Sequence, residues 1–178
     1  KGTGVMDHAF TPAEIQALEE LISSGNPDWD LLFSMYQVQR INPMSYLKSE
    51  AFLRAFEESL EKHYPYIAYA DAFHSTRSRL LPVLYLLSTK VPKADCYHAI
   101  CTGYGGLLAS LGSYLYKKPL LLTEHGIYTR EREEEIIGAK WVGKAFKQQW
   151  IQFFYMLSVL IYSRAHRVTS LYRGAMQM

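Results

Sequence analysis

The sequence predicts an α/β fold, a parallel sheet covered by helices behind a helical N-terminal addition. Three observations carry that prediction. Short apolar runs, "ADCYHAIC" and "PLLLT", read as buried strands, and "HRVTSL" reads as a third. Single helical segments separate them, so right-handed crossovers and a parallel sheet buried on both faces are expected. The first 63 residues contain helical signals only. The architecture is therefore Rossmann-like from residue 64 to 178, with a helical segment over residues 1–63.

Each element has a local reason. Thr11-Pro12-Ala13-Glu14 is a capping box with proline at the first helical position, which predicts a helix over 12–22 that Gly25 stops. Asn26-Pro27-Asp28 opens a second short helix through Tyr36. From residue 43 to 63, Tyr46, Leu47, Phe52, Leu53, Phe56 and Leu60 recur at near-helical spacing, and Tyr64-Pro65-Tyr66 ends that run. A helix over 78–88 tolerates Pro82 near its first turn. The strand at 94–101 then runs into "TGYGGLLASLGSYLYKK", a sharp turn followed by a helix. The strand at 119–123 is followed by a charged loop and a long helical region over 131–163, broken near Gly138 or Gly143. The last strand spans 166–171.

Composition narrows the function. The chain has 178 residues, of which 49% are hydrophobic and 20% charged, so a globular domain with a sizeable core is expected. Its 19 basic and 17 acidic side chains give a formal charge of +2, which argues against nucleic acid or an anionic membrane surface as partner. Cys96 and Cys101 fall within one predicted strand at a spacing unsuited to a disulfide, and no Cys/His metal spacing occurs. A reducing cytoplasm is the natural setting. "WIQFFYMLSVLIYSRAHRV" is interrupted by Gln152, Arg164, His166 and Arg167, and its apolar part is shorter than the roughly 20 residues of a bilayer span, so it reads as a buried helix. The opening "KGTGVMDHAF" and closing "SLYRGAMQM" do not read as complete elements, and a piece of a longer protein is expected.

In open parallel sheets, ligands bind past the carboxyl ends of the strands, near the switch in strand order. Two segments occupy that position. Thr102-Gly103-Tyr104-Gly105-Gly106 follows the first strand and opens a helix, where free amides can receive a phosphate or a sugar hydroxyl. The spacing is neither GxGxxG nor a Walker A motif, and the glycines also suit a plain tight turn. Glu124-His125-Gly126 follows the second strand. His125 can exchange hydrogen bonds or a proton with a substrate oxygen, with Glu124 orienting it or binding a hydroxyl; a loop histidine satisfied by backbone is the alternative. Adjacent Glu-His is not a metal site, since HExxH spacing is absent. Arg130, in "TREREEEI", is suited to phosphate or carboxylate, although a solvated helix start accounts for the same run. Asp71, His74 and Arg77 precede the helix that Ser75 or Thr76 can cap.

These residues also carry a family resemblance. "DCYHAICTGYGGLLASLGSYLYKKPLLLTEHGIYTREREEEI" resembles the N-terminal half of retaining family 4 glycosyltransferases of GT-B architecture, and more narrowly the Pel exopolysaccharide glycosyltransferases. "HYPYIAYADAFHS" and "AHRVTSLY" are similar to the same group. The likeness spans residues 64–172, and "LLLTEHGIYTRERE" is its most specific part. The resemblance implies the N-terminal, acceptor-side lobe of a two-lobed enzyme that uses a UDP-sugar donor as substrate, with no cofactor and no obligatory metal. By motif position His125 is the catalytic candidate beside the transferred sugar. Glu124, Gly126, Thr102, Gly103, Tyr104, Asp71, His74 and Arg130 are the substrate-binding candidates.

The glycine-rich loop after the first strand of such a lobe is not found here, nor is the C-terminal lobe with its paired glutamates, so this chain alone is not expected to transfer sugar. The implied partners are a nucleotide-sugar, a glycan acceptor and membrane-bound polysaccharide synthase subunits. The implied location is cytoplasmic, at the inner face of the membrane through such a partner. A non-catalytic interaction domain that docks the synthase through residues 1–63 is the rival reading.

Overall fold

A computed structural model describes residues 9–63 and 65–171. The expectations for the two chain ends and for Tyr64 lie outside the described residues. The order is α1 (Pro12–Ser23), α2 (Trp29–Gln37), α3 (Pro43–Leu47), α4 (Glu50–His63), α5 (Tyr69–Ser88), β1 (Tyr97–Ala99), α6 (Tyr104–Tyr116), β2 (Leu120–Glu124), α7 (Tyr128–Gly138), a 3-10 turn (Lys144–Phe146), α8 (Lys147–Arg164) and β3 (Arg167–Ser170).

The N-terminal helices start where their caps dictate. The Thr11 hydroxyl accepts from the Glu14 amide at 3.3 Å, and the Glu14 carboxylate accepts from the Thr11 amide at 2.8 Å. Asp28 caps α2 through the Leu31 amide at 3.0 Å, and Asn42 caps α3 through the Met44 amide at 2.8 Å. The left-handed residue that ends α1 is Ser24 (φ 59°), not Gly25. The single helix expected over 43–63 is two helices. Ser49 separates them: its hydroxyl donates to the Tyr46 carbonyl and accepts from the Phe52 amide, which closes one helix and caps the next.

A larger departure is α5, which begins at Tyr69 rather than Ser78. Asp71, His74 and Arg77 are therefore helical residues, neither Ser75 nor Thr76 is a cap, and Pro82 lies in the helix interior. Proline there removes one intrahelical bond and frees the carbonyl four residues back. Both Pro82 and Ser78 face solvent, so water can take up that carbonyl.

The sheet has three parallel strands in the order β1-β2-β3, with Tyr97 beside Leu120 and Leu121 beside Arg167. Strand β1 is shorter than expected. The Tyr97 hydroxyl donates to the Pro92 carbonyl at 2.7 Å and accepts from the Ala94 amide at 3.2 Å, so side-chain bonds hold the approach that a ladder was expected to hold. Cys96 and Cys101 consequently flank the strand, both as free thiols.

Among the described residues, helices cover one face of the sheet and not both. Strand order rises steadily, and successive right-handed crossovers in one direction put their helices on the same side. Helices α6 and α8 pack there on each other and on β2, burying Ala99, Leu120 and Leu122. The opposite face carries a polar row instead: His98 Nε2 lies 2.8 Å from the Thr123 hydroxyl, which lies 2.8 Å from that of Thr169. No reversal of strand order, and so no topological switch point, occurs among the described strands.

One buried apolar cluster runs through the helical third and the sheet half alike, from Leu18, Leu32 and Phe52 through Leu80 and Leu84 to Leu107, Leu122 and Leu157. Phe33 of α2 meets Tyr114 of α6 at 5.2 Å, and Asp30 pairs with Arg164 at the end of α8 at 2.6 Å. Among the described residues no helix is long and apolar enough to cross a membrane.

Candidate functional site

The glycine turn after β1 works by close approach. No described glycine has a positive φ, so the left-handed region is not what these positions require. A β-carbon on Gly103 would stand 2.2 Å from the Tyr128 hydroxyl, and one on Gly106 would stand 2.9 Å from Ile161 and 3.1 Å from the Cys101 carbonyl. Gly103 is the N-cap of α6 and Tyr128 the first residue of α7. Their contact joins the loop after β1 to the loop after β2. Neither helix has a side-chain cap, so both present backbone N–H groups at the carboxyl end of the sheet.

The predicted residues fall into five settings. His125 is exposed in the bend that leaves β2, and Gly126 lies beside it with the Glu131 carboxylate over its α-carbon. Thr102 and Glu124 are turned inward. Thr102 is fully buried, its hydroxyl 2.6 Å from that of Ser158 on α8. Glu124 is 6% exposed and accepts a bond from the Tyr162 hydroxyl, also on α8. Alternation along β2 explains the pair: Leu120, Leu122 and Glu124 point to the helical side, so the residue after the strand is the one delivered to solvent. Tyr104 is half-buried against Phe153 and Phe154. Arg130 lies on the outer face of α7, paired with Glu134 at 3.2 Å. Asp71 and His74 stand apart from these loops, on α5, lining a cleft that also takes in Trp141 and Trp150.

The position of that cleft follows from α8. Ser158 meets Thr102 in the turn after β1, while Tyr104 and Tyr128 meet Phe154 one turn earlier in the chain. Trp150 lies eight residues before Ser158, about 12 Å along the axis at 1.5 Å per residue. The N-terminal half of α8 thus overhangs the strand ends, and the cleft opens beyond them. Trp141, Trp150 and Ser78 were not among the sequence candidates. A tryptophan between two glycines in the connection "GAKWVGKAF" is the local signal for the cleft. Among the described residues no group of three or more His, Cys, Asp or Glu is placed to hold a metal ion.

The inward pair makes a testable contribution to stability. Tyr162 keeps 46% of its surface in solvent, but desolvation of the hydroxyl where it meets the buried Glu124, then the bond to and charge of that carboxylate, hold the phenol above its ordinary value. Burial, then the neighbouring Tyr128, pushes Tyr104 up to about 12 against the opposing charge of Arg79. A phenol whose pKa is raised by folding contributes fully below its unfolded value near 10 and loses that contribution as pH rises toward the folded value. Urea midpoints are therefore expected to fall as pH climbs from about 10 toward 12. Tyr162→Phe should cost about 1–3 kcal/mol at neutral pH, because it leaves a buried carboxylate oxygen without its donor. It should also flatten the alkaline loss; an alkaline slope equal to that of the wild type would assign the effect elsewhere.

The fold and its strand-end loops define a helix-rich α/β protein whose small, open parallel sheet is compatible with a Rossmann-like lobe. The chain belongs to the family described as Domain of unknown function (DUF3492), whose model matches residues 7–178, a domain known from glycosyltransferase-like proteins. Neither a curated protein nor a solved structure matches the chain.

Proposed function

We propose that the chain is the N-terminal, acceptor-side lobe of a retaining glycosyltransferase of GT-B architecture that takes a UDP-sugar donor and extends a bacterial exopolysaccharide of the Pel type. The observation that carries the reading is the exposed His125, set with Gly126 at the carboxyl end of β2 directly before an α7 N-terminus that no side chain caps. Departure of a nucleoside diphosphate develops negative charge. Fixed N–H donors and an imidazole at a strand-end rim stabilise such charge without reorganising. In this role His125 bonds the transferred sugar or its leaving phosphate, while the Gly103–Tyr128 contact holds the two loops in register. Glu124 acts from within, fixing the backbone that presents His125 through its bond to Tyr162. A second lobe supplies the grip on the donor, and a membrane-bound synthase partner keeps the enzyme at the inner face of the membrane.

The test is UDP release by the complete protein that carries this chain, measured with a panel of UDP-sugars and glycan acceptors. Acceptor-dependent release from at least one UDP-sugar is expected. No release from any of them would overturn the assignment.

A further inference from the structure

Beyond the strand ends, α5 and the connection from α7 to α8 enclose a cleft of about 340 Å³, within the size range of small-molecule sites. Its two walls differ in chemistry. Asp71, His74, Ser75 and Ser78 recur at helical spacing and so share one face of α5. Opposite them stand Trp141 and Trp150, edge to face at 5.5 Å with their planes at 84°. Trp150 is 8% exposed and props Trp141, which keeps 67% of its surface in solvent. Trp141 thus lines the cleft with its indole against Trp150 and most of its apolar surface open to solvent.

The lining selects among ligand classes. Among the described residues it includes no lysine or arginine, and the Asp71 carboxylate repels phosphate, so a nucleotide is disfavoured. A carboxylate, an imidazole and hydroxyls facing an indole suit a neutral molecule with an apolar face and a rim of hydroxyls. A sugar ring has that form: its C–H face packs on an aromatic plane while its hydroxyls take and give hydrogen bonds. We propose that this cleft binds a pyranose unit of a glycan, with Trp141 under the ring and the exposed Asp71 and His74 bonding its hydroxyls. The inference supplies an acceptor seat for the transferase reading and rests on that reading for the word acceptor alone; glycan binding is a property of the chain itself.

Calorimetric titration of the chain with cellotetraose, with chitotetraose and with UDP tests it. Saturable binding in the millimolar range is expected for at least one of the two oligosaccharides and not for UDP. Trp141→Ala should weaken that binding about tenfold or more, with the thermal midpoint unchanged because the ring is mostly exposed. Asp71→Asn, also at an exposed position, gives an independent measure through the hydroxyl-bonding wall and should likewise weaken it. Absence of binding to both oligosaccharides, binding of UDP alone, or equal affinity in both variants would overturn the proposal. Glycan binding by the chain combined with no UDP release by the complete protein would leave the cleft standing and remove the transferase reading. Release without glycan binding would do the reverse.

Discussion

His125→Ala in the complete protein is expected to lower sugar transfer by about 10²–10³ while leaving the thermal midpoint of this lobe in place. The two halves of that expectation have separate grounds. Removing one preorganised donor from developing oxyanion charge typically costs that much in turnover, because the partner group was fixed before the reaction began. The ring itself contributes little to folding: it is exposed, in a bend, and has no hydrogen-bond partner among the described residues, and surface substitutions of that kind stay within about 0.5 kcal/mol. Glu124→Gln provides the contrast. Glu124 is buried and bonded to Tyr162, so its replacement should lower stability first and activity through it. His125→Asn keeps a donor at a similar reach and should restore part of the loss if the imidazole acts by hydrogen bonding. Wild-type turnover in His125→Ala, measured as UDP release, would remove the residue from the chemistry and favour the reading in which the chain only docks a partner.

Position 125 was legible in the sequence because its cause is local. An apolar run of fixed length ends in Glu-His-Gly, and a two-residue period then settles which side chain turns outward. The same holds for α1, where Thr11, Pro12 and Glu14 fix the start within one turn. Misread features share a non-local cause. Ser75 and Thr76 resemble a helix start, yet Thr76 is 4% exposed within α5 because the helix continues across the core on both sides of it. Its intrinsic preference is a few tenths of a kcal/mol, and tertiary burial overrides that. The open face of the sheet depends on strand order, which no window of sequence contains. Nor does any window contain the cleft, since Asp71 and His74 meet Trp141 and Trp150 only after the intervening strands have paired. Glycines 103 and 106 were marked as special for a tight turn; what the structure shows there is close approach, since Tyr128, Ile161 and the Cys101 carbonyl fill the space of a side chain and no positive φ is involved.

Phe52→Ala is expected to destabilise the chain by about 3–5 kcal/mol and to do so throughout, in the sheet half as well as in the helical third. Phe52 is fully buried where α3, α4 and α5 converge. Its ring meets Tyr46 at 5.5 Å, Phe56 at 5.9 Å and Phe73 at 6.0 Å, so truncation leaves a cavity that three elements would have to move to fill. Phe73 belongs to α5, the helix that also packs on α6 and so passes any loosening toward the sheet. Trp141 and Trp150 report on that far half. In a Trp29→Phe background their fluorescence should lose its folded value at a urea midpoint lowered by the same amount as the far-UV helical signal. Coincidence of the two probes is the signature of one cooperative unit. A Trp141/Trp150 transition that stays at its original midpoint while helix is lost would mean that residues 1–63 unfold by themselves. Such independence would give the docking reading a separable module, whereas one shared transition ties the helical third to the walls of the cleft and to the strand-end rim that carries His125.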